Sequence, residues 1–199
     1  MKKLRISKFF IIIFFFLNLS SNSIANISTN FIEDITNKAS NVLSSQNTRE
    51  SKIKELVKIG ESSVDIDGIG FYTLGKHRKS LNEFQKDAFK KIFREYFLKS
   101  FSTRLVEYKE AKIVVISEDV KSEKYTIVKS KLLATSDRPE ITIDWRVYTK
   151  NPQNPLIRDL VIEGLSLART QREEFNSIII NNDGEINALF EILENFIKN

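Results

Sequence analysis

Apolar residues recur every three or four positions through the first part of the chain, which is the spacing of amphipathic helices. One such helix is predicted from Ile27 to Leu43 and a second from Arg49 to Ile59, with Gly60 expected to end it. The glycine-punctuated segment 64–75 (VDIDGIGFYTLG) predicts only one or two helical turns.

The longest helix is predicted from Leu81 to Tyr108. Ser80 and Glu83 have the spacing of a capping box, in which each side chain accepts a backbone N–H of the other residue at a helix start. The apolar residues of this helix form a stripe wider than contact with one sheet face requires. We therefore expect the helix to pack on more than one surface.

After Tyr108 the period becomes alternating and the residues become rich in β-branched side chains. In the segment Glu140–Thr149, the side chains of Ile143, Trp145 and Val147 share one strand face, and polar side chains alternate with them on the other. Four antiparallel strands are predicted, over 112–117, 124–134, 140–149 and 156–163.

Two more helices are predicted, from Ser166 to about Ile180 and from Glu185 to Ile197, with an Asn-Asp-Gly break between them. Helices, then strands, then helices is the order of an α+β domain in which helices gather on one face of an antiparallel sheet. No internal repeat is evident, so a single domain is expected.

The N-terminus has the pattern of a secretory signal peptide. Four basic residues lie between Lys2 and Lys8, an apolar run of about eleven residues follows from Phe9 to Leu19, and Ser23-Ile24-Ala25 fits a small-x-small cleavage site. The apolar run is too short for a membrane-spanning helix, which needs roughly 20 residues. We therefore predict a signal peptide at residues 1–25 and a mature domain at 26–199, outside the cytoplasm.

Net charge and cysteine content exclude several classes of function once the signal peptide is set aside. The signal carries four of the 31 basic residues and none of the 26 acidic ones, so the formal net charge falls from +5 to +1. A nearly neutral domain argues against a nucleic-acid partner. The chain has no cysteine, which excludes disulfides, thiol nucleophiles and thiolate metal ligands.

Ser166 is the first candidate for chemistry. The segment from Gly164 to Ala168 (GLSLA) is one residue short of the G-x-S-x-G turn that presents a hydrolase serine, because Ala168 replaces the final glycine. A serine nucleophile needs a base, and the single histidine, His77, precedes Ser166 whereas the histidine of such hydrolases follows the serine. Ser166 is therefore predicted to be the N-cap of the following helix, and the chain is not expected to be an enzyme.

Two other motifs are also incomplete. Gly70 to His77 fits G-x-x-x-x-G-K but ends in histidine, where a phosphate-binding loop needs Ser or Thr for magnesium. Asp65-Ile66-Asp67-Gly68 lacks the further carboxylates of a calcium loop, so a turn is predicted there. With one histidine and no cysteine, no metal site and no cofactor are expected.

The C-terminal segment LIRDLVIEGLSLARTQREEF resembles the signature of the MlaC or toluene-tolerance (Ttg2-type) family, an aspartate followed after three residues by Glu-Gly-Val/Leu-Ser. The matching positions are Asp159, Glu163, Gly164, Leu165 and Ser166. The Asp-Trp-Arg strand at 144–146, the Leu-Gly turn at 74–75 and the long aromatic helix are also similar in order and spacing, and the resemblance covers about Ile53 to Leu193.

This resemblance implies a periplasmic carrier of glycerophospholipids, with an NTF2-like or cystatin-like sheet and a helical part that enclose an apolar lipid cavity. It implies bound phospholipid as cargo, and two partners: an inner-membrane ABC-transporter complex and an outer-membrane lipoprotein–porin complex. The carrier is expected to be a monomer that maintains outer-membrane lipid asymmetry.

We expect the lipid pocket between one sheet face and the aromatic helices, with the lipid head group near Lys76, Arg78 or Arg146. The predicted lipid-binding residues are Phe71, Leu74, Phe93, Phe97 and Phe101 on the helices and Ile143, Trp145, Val147, Leu160 and Ile162 on the strands.

Two alternatives remain open from the residues alone. The first is a small exported α+β hydrolase or isomerase with a cavity of the same shape. The second is a protein-binding adapter in which the same apolar side chains fill a solid core, because aromatic stripes at helical spacing commonly pack a core.

Overall fold

The computed structural model describes residues 22–108 and 111–199, with side chains described from residue 27. The predicted signal peptide therefore lies almost wholly outside the described residues. Within them, no helix combines the length and the apolar character needed to cross a membrane. The helices are α1 (Asn22–Ser44), α2 (Arg49–Ser63), α3 (Ile66–Thr73), α4 (Glu83–Leu105), α5 (Leu167–Asn181) and α6 (Ile186–Lys198), with a 3-10 turn at Gly75–Lys79 between α3 and α4. The strands are β1 (Ile113–Ser122), β2 (Tyr125–Leu132), β3 (Ile141–Tyr148), β4 (Leu156–Ile162) and β5 (Leu165–Ser166).

The strands form one antiparallel sheet in sequential order, β1-β2-β3-β4-β5. Four of them were predicted, and the α+β class is confirmed. The fifth, β5, is only two residues long and pairs with the end of β4 through a turn at Glu163 and Gly164. Both turn residues have positive φ, 49° and 80°, as two-residue hairpin connections require. Glycine adopts this conformation without strain, which explains Gly164 at the end of the strand.

The alternation predicted for β3 is confirmed. Ile143, Trp145 and Val147 are buried on one face of the sheet, and the indole Nε1–H of Trp145 donates to Ser130 Oγ at 2.8 Å. Ser130 stands opposite Ile143 in the neighbouring strand, so this bond lies on the same buried face. It satisfies the polar atom of a tryptophan placed in an apolar layer.

The helices cover the sheet unequally. Helix α1 packs against β1 and β2, whereas α2, α3 and α5 contact β4. Helix α4 packs mainly against α2, α3 and α6. The expectation that α4 contacts more than one surface is therefore correct, but those surfaces are mostly helices.

Two predicted helix ends are wrong. Helix α2 continues through Gly60 to Ser63. Gly60 lies where α2 crosses α4, and a Cβ there would stand 3.2 Å from Leu98 of α4. Helix α4 begins with a capping box of Asn82 and Gln85, two residues beyond the predicted pair. Ser80 instead closes the preceding 3-10 turn by donating its hydroxyl to the His77 carbonyl at 2.8 Å. Both pairs fit the capping spacing, and the fold selects the second.

Candidate functional site

A column of phenyl rings runs along α4. Phe89, Phe93, Phe97 and Phe101 are four residues apart and therefore share one helix face. Their ring centroids are separated by 5.5, 6.1 and 5.8 Å in order, and the last pair is stacked with an interplanar angle of 8°. Phe89 and Phe93 are buried, whereas Phe97 and Phe101 are half-buried. We call these four residues the aromatic column.

Two glycines allow neighbouring helices to approach the aromatic column. A Cβ at Gly70 of α3 would stand 2.7 Å from Phe93 Cδ1, and a Cβ at Gly60 of α2 would stand 3.5 Å from the Phe101 ring. The first distance is shorter than any normal carbon contact, so only glycine fits there without displacement of Phe93. Gly70 therefore serves helix packing, whereas Gly68 leaves room for the carboxylate of Asp65, the N-cap of α3.

The strand residues of the predicted pocket lie on one face of the sheet, and all but Ile162 lie in or against the core cluster that also contains Phe89 and Phe93. Trp145 pairs with Leu160 and Ile143 pairs with Ile162 across β3 and β4, so these four side chains point to the same side. Val147 at the end of the row is fully buried. Leu160 and Ile162 are half-buried. The strand residues of the predicted pocket therefore form a continuous apolar surface.

The structure places the ten predicted pocket residues in three environments. Leu74, Phe93, Ile143, Trp145 and Val147 are members of one buried core cluster, and Phe71, Phe97 and Leu160 are partly buried against it. Phe101 and Ile162 are half-buried outside that cluster. Most of the predicted set is thus brought together, with the side chains of the first group packed closely on their neighbours.

Other aromatic residues belong to the same interior but were missed from the sequence. The ring of Phe175 on α5 contacts Phe93 edge-on at 6.2 Å, and Phe190 on α6 stacks on Phe89 at 5.8 Å. Both lie on the apolar faces of helices predicted correctly. Their helical spacing indicated that both residues are buried, but it does not predict which residues they pack against.

Tyr96 carries a polar group into this aromatic layer. Its ring contacts Phe93 and Phe175, and its hydroxyl donates to Gln171 Oε1 at 3.0 Å. Burial raises the pKa of the Tyr96 phenol, and the nearby Glu174 carboxylate raises it further. The phenol therefore remains protonated at neutral pH and acts as a hydrogen-bond donor.

Two depressions on the described surface are charged. One, of about 430 Å³, is lined by residues that include Glu61, Asp65, Asp67 and Arg94, and the other, of about 420 Å³, by Asp67, Asp87, Lys90, Lys91 and Arg94. The Asp67 carboxylate bonds Arg94 at 2.9 Å and Lys90 at 3.1 Å. Neither depression is an apolar chamber. Among the described residues, no cluster of His, Asp and Glu side chains is arranged to hold a metal ion.

Ser166 has the predicted capping role. Its Oγ accepts the backbone N–H of Arg169 at 3.1 Å and donates to Asp159 Oδ2 at 2.6 Å. Asp159 is buried, and its other oxygen accepts the backbone N–H of Ala168 at 3.0 Å. The sole histidine of the chain, His77, bonds Asn176 Oδ1 at 2.9 Å. Ser166 therefore has no imidazole base and serves the start of α5.

Arg146 lies on the face of β3 opposite Trp145 and bonds Asp159 Oδ2 at 3.2 Å. Its guanidinium is thus on the other side of the strand from the predicted pocket residues of β3, and a role as a head-group ligand stays a prediction. Lys76 and Arg78 are exposed on the 3-10 turn, where their role as head-group ligands remains a prediction.

A five-stranded antiparallel sheet covered by helices, with a row of aromatic rings along one of the helices, defines an α+β protein with an apolar core shared by helices and sheet. The family model described as MlaC protein matches residues 26–195, and the chain belongs to this family. The structure is also similar to that of a phospholipid-binding protein from Ralstonia solanacearum, which was solved in complex with a phospholipid. The TM-score is 0.69 at 13% sequence identity, over 87% of this chain and 96% of that one. At that identity, the similarity shows a shared fold.

Proposed function

We propose that this protein binds glycerophospholipids and carries them through the periplasm between inner- and outer-membrane complexes. The observation that carries the proposal is an apolar core that joins the aromatic rings of the helices to one face of the sheet, in a chain that belongs to the MlaC family. The phospholipid bound by the structurally similar protein supports the same cargo class. The family match begins at residue 26, which agrees with a mature domain of residues 26–199 after an export signal.

The physical need for such a carrier is large. Two acyl chains with about 30 methylenes would cost on the order of 24 kcal/mol to expose to water, at about 0.8 kcal/mol per methylene. A protein that moves them through water must supply an apolar enclosure and needs no catalytic group. The apolar core cluster supports such a role, and the partners of Ser166 and His77 argue against a serine hydrolase.

We place the acyl chains between the aromatic column and the sheet residues Leu160 and Ile162. These strand residues, together with Phe97 and Phe101, are half-buried, so they have more freedom to move than the fully packed Phe93 or Val147. Acyl chains would replace ring–ring contacts by ring–acyl contacts of similar apolar character. Entry would therefore move the half-buried Phe97 and Phe101 away from Leu160 and Ile162, while the polar atoms of Tyr96 and Trp145 keep their hydrogen bonds to Gln171 and Ser130.

The lipid content of the purified protein tests the proposal. Mature protein prepared without detergent should release phospholipid on extraction with organic solvent, at up to one molecule per chain. Phe101→Glu should lower retained lipid at least about tenfold, because a carboxylate disfavours burial beside acyl chains. Phe97→Glu should do the same. Ile116→Glu, which changes an exposed residue of β1 in the same way, should retain normal lipid.

A protein-binding adapter with a filled core is the second candidate, and the close packing of Leu74, Phe93 and Val147 favours it. The two functions differ in one measurement. If the folded protein contains no lipid and takes up none from vesicles, the carrier proposal is wrong and the adapter remains. Normal lipid content in both Phe→Glu variants, with folding intact, would instead remove the aromatic column from the pocket.

The enzyme alternative is tested by Ser166→Ala. Under the carrier proposal this variant loses some stability but still binds lipid, because Ser166 caps α5. Turnover of an ester substrate by the parent protein, abolished in the variant at unchanged stability, would favour a hydrolase.

A further inference from the structure

The 3-10 turn at Gly75–Lys79 carries a concentrated positive charge. Lys76, Arg78 and Lys79 are exposed, and in the described part of the chain none of the three makes an ion pair. Between Gly75 and Lys86 the one acidic residue is Glu83, and its carboxylate is bonded to the Lys86 ammonium at 2.7 Å. We call Gly75–Lys79 the basic turn. Its charge is not neutralised by the fold.

The basic turn is held in a fixed position. His77 Nε2 bonds Asn176 Oδ1 of α5 at 2.9 Å, which ties the turn to the helical layer. Gly75 has φ of 56°, and a Cβ there would stand 2.8 Å from the Arg172 guanidinium. Arg172 lies over the ring of Tyr72, with 5.3 Å from its Cζ to the ring centroid. The turn is thus anchored, and an exposed guanidinium lies next to it.

Phe84 lies next to the basic turn in the first helical turn of α4. Its side chain is 83% exposed, more than any other large apolar residue in the described part of the chain. The nearby Leu81 is 5% exposed and packs in the core at this end of the helix. Phe84 therefore does not contribute to the core, and its ring is available to an apolar partner outside the protein.

We propose that the basic turn and Phe84 dock this protein on a membrane surface that contains anionic lipid. Positive side chains next to such a surface gain from its negative potential, and an aromatic ring inserts at the boundary between head groups and acyl chains. Lysine is depleted at protein–protein interfaces, whereas two of the three basic residues here are lysines. The composition therefore favours a lipid surface over an acidic protein as the partner.

This inference goes beyond the proposed function, because a carrier can exchange cargo through protein complexes without touching the bilayer. It also makes a separate prediction. Binding to vesicles should depend on salt, since attraction between exposed charges is screened over about 10 Å at 0.1 M ionic strength. Lipid retained inside the protein should be insensitive to the same salt.

Cosedimentation with vesicles tests the docking surface. The full mature protein would be mixed with vesicles of phosphatidylcholine alone or with about one third phosphatidylglycerol, at low and high salt. Reversal of Lys76, Arg78 and Lys79 to Glu should weaken partition to the anionic vesicles at least about 100-fold, since each of the three basic residues near such a surface contributes about fivefold. Phe84→Ser should weaken it about tenfold through loss of the inserted ring.

Reversal of three exposed lysines on the sheet side, Lys124, Lys129 and Lys150, gives a control with the same change in net charge. It should lose much less affinity than the reversed basic turn, and circular dichroism should show that both variants are folded. Equal loss in the two triple variants would overturn the proposal, because net charge alone would explain it. So would binding of polyglutamate, but not of anionic vesicles, through the basic turn.

The outcome is separable from that of the proposed function. Vesicle binding that requires the basic turn, in a protein that never contains lipid, would support the docking surface and refute the carrier. Normal lipid content, with vesicle binding that is unchanged by reversal of the basic turn, would support the carrier and refute the docking surface.

Discussion

Removal of the Asp159 carboxylate should destabilise this fold more than its place on a strand suggests. Asp159 is 6% exposed and accepts hydrogen bonds from Ser166 Oγ, the Ala168 N–H and the Arg146 guanidinium. These contacts join β3, β4 and the start of α5. Asp159→Ala would leave the donors without their acceptor and remove a negative charge from the N-terminus of that helix.

The expected cost is about 3 kcal/mol. A buried N–H left without a partner costs about 1–3 kcal/mol, and Ala168 is itself buried. The Ser166 hydroxyl can rotate, so loss of its hydrogen bond to Asp159 contributes less to this cost. The Arg146 side chain is 36% exposed and can bond water instead, which limits its share to about 1 kcal/mol or less. Against a typical folding stability of about 5–15 kcal/mol, this loss is large.

Urea unfolding of the mature protein at pH 7, followed by circular dichroism, measures the effect. Asp159→Ala should lower the free energy of unfolding by about 3 kcal/mol, and Arg146→Ala and Ser166→Ala by about 1 kcal/mol each. The Asp159 and Ser166 changes should be non-additive by more than about 0.5 kcal/mol, because the two side chains bond each other. A loss below about 0.5 kcal/mol for Asp159→Ala, or an equal loss for Arg146→Ala, would refute this account.

Two other predictions concern helix packing and pH. Gly70→Ala should destabilise the protein by about 1–2 kcal/mol because its Cβ would overlap the Phe93 ring. Gly60→Ala should be nearly neutral, because its Cβ would meet the flexible end of Leu98 at 3.2 Å and the Phe101 ring at an ordinary contact distance of 3.5 Å. Equal thermal shifts in the two variants would contradict this. Hydrogen bonds from the Thr142 backbone N–H and hydroxyl lower the pKa of Glu163 below its ordinary 4.5. The ionised Glu163 therefore stabilises the folded protein above pH 4.5, and this contribution is lost as the pH falls through the pKa of Glu163 in the folded protein. Glu163→Gln should therefore be less stable than the parent at pH 7, and the difference in stability should disappear once the pH is below the pKa of Glu163 in the folded protein. A difference that does not change with pH would count against the role of this hydrogen bond.

The local patterns of the sequence determined much of the secondary structure. Period-two alternation identified which side of β3 is buried, because successive side chains of a strand point to opposite faces. Helical spacing identified α1 and α4, and the Gly-Leu-Ser segment before an apolar helix predicted the cap at Ser166. These features depend on residues within one or two turns of each other, which a single sequence displays directly.

The helix ends show where local information stops. Gly60 has the composition of a helix terminus, but its lack of a side chain serves the contact of α2 with Leu98. Ser80 and Asn82 both begin a capping pattern, and the contacts of the 3-10 turn with α5 favour the second. In each case two local solutions differ little in energy, so long-range packing decides between them.

The aromatic set shows the same division within the site. Its apolar residues on α4 and β3 were predictable as buried faces, but the inclusion of Phe175 and Phe190 required the positions of α5 and α6. Placement of Arg146 also required the structure, since its partner Asp159 follows thirteen residues later on the next strand.

Residue patterns alone were enough to predict an α+β chain with an apolar sheet face and an aromatic helix. Only the folded chain shows that α4 packs mainly on other helices, that Gly70 lies against Phe93, and that Asp159 joins the sheet to α5. Hydrophobic patterning is a property of neighbouring residues, whereas a contact between distant segments depends on the shape and loop geometry of the whole chain.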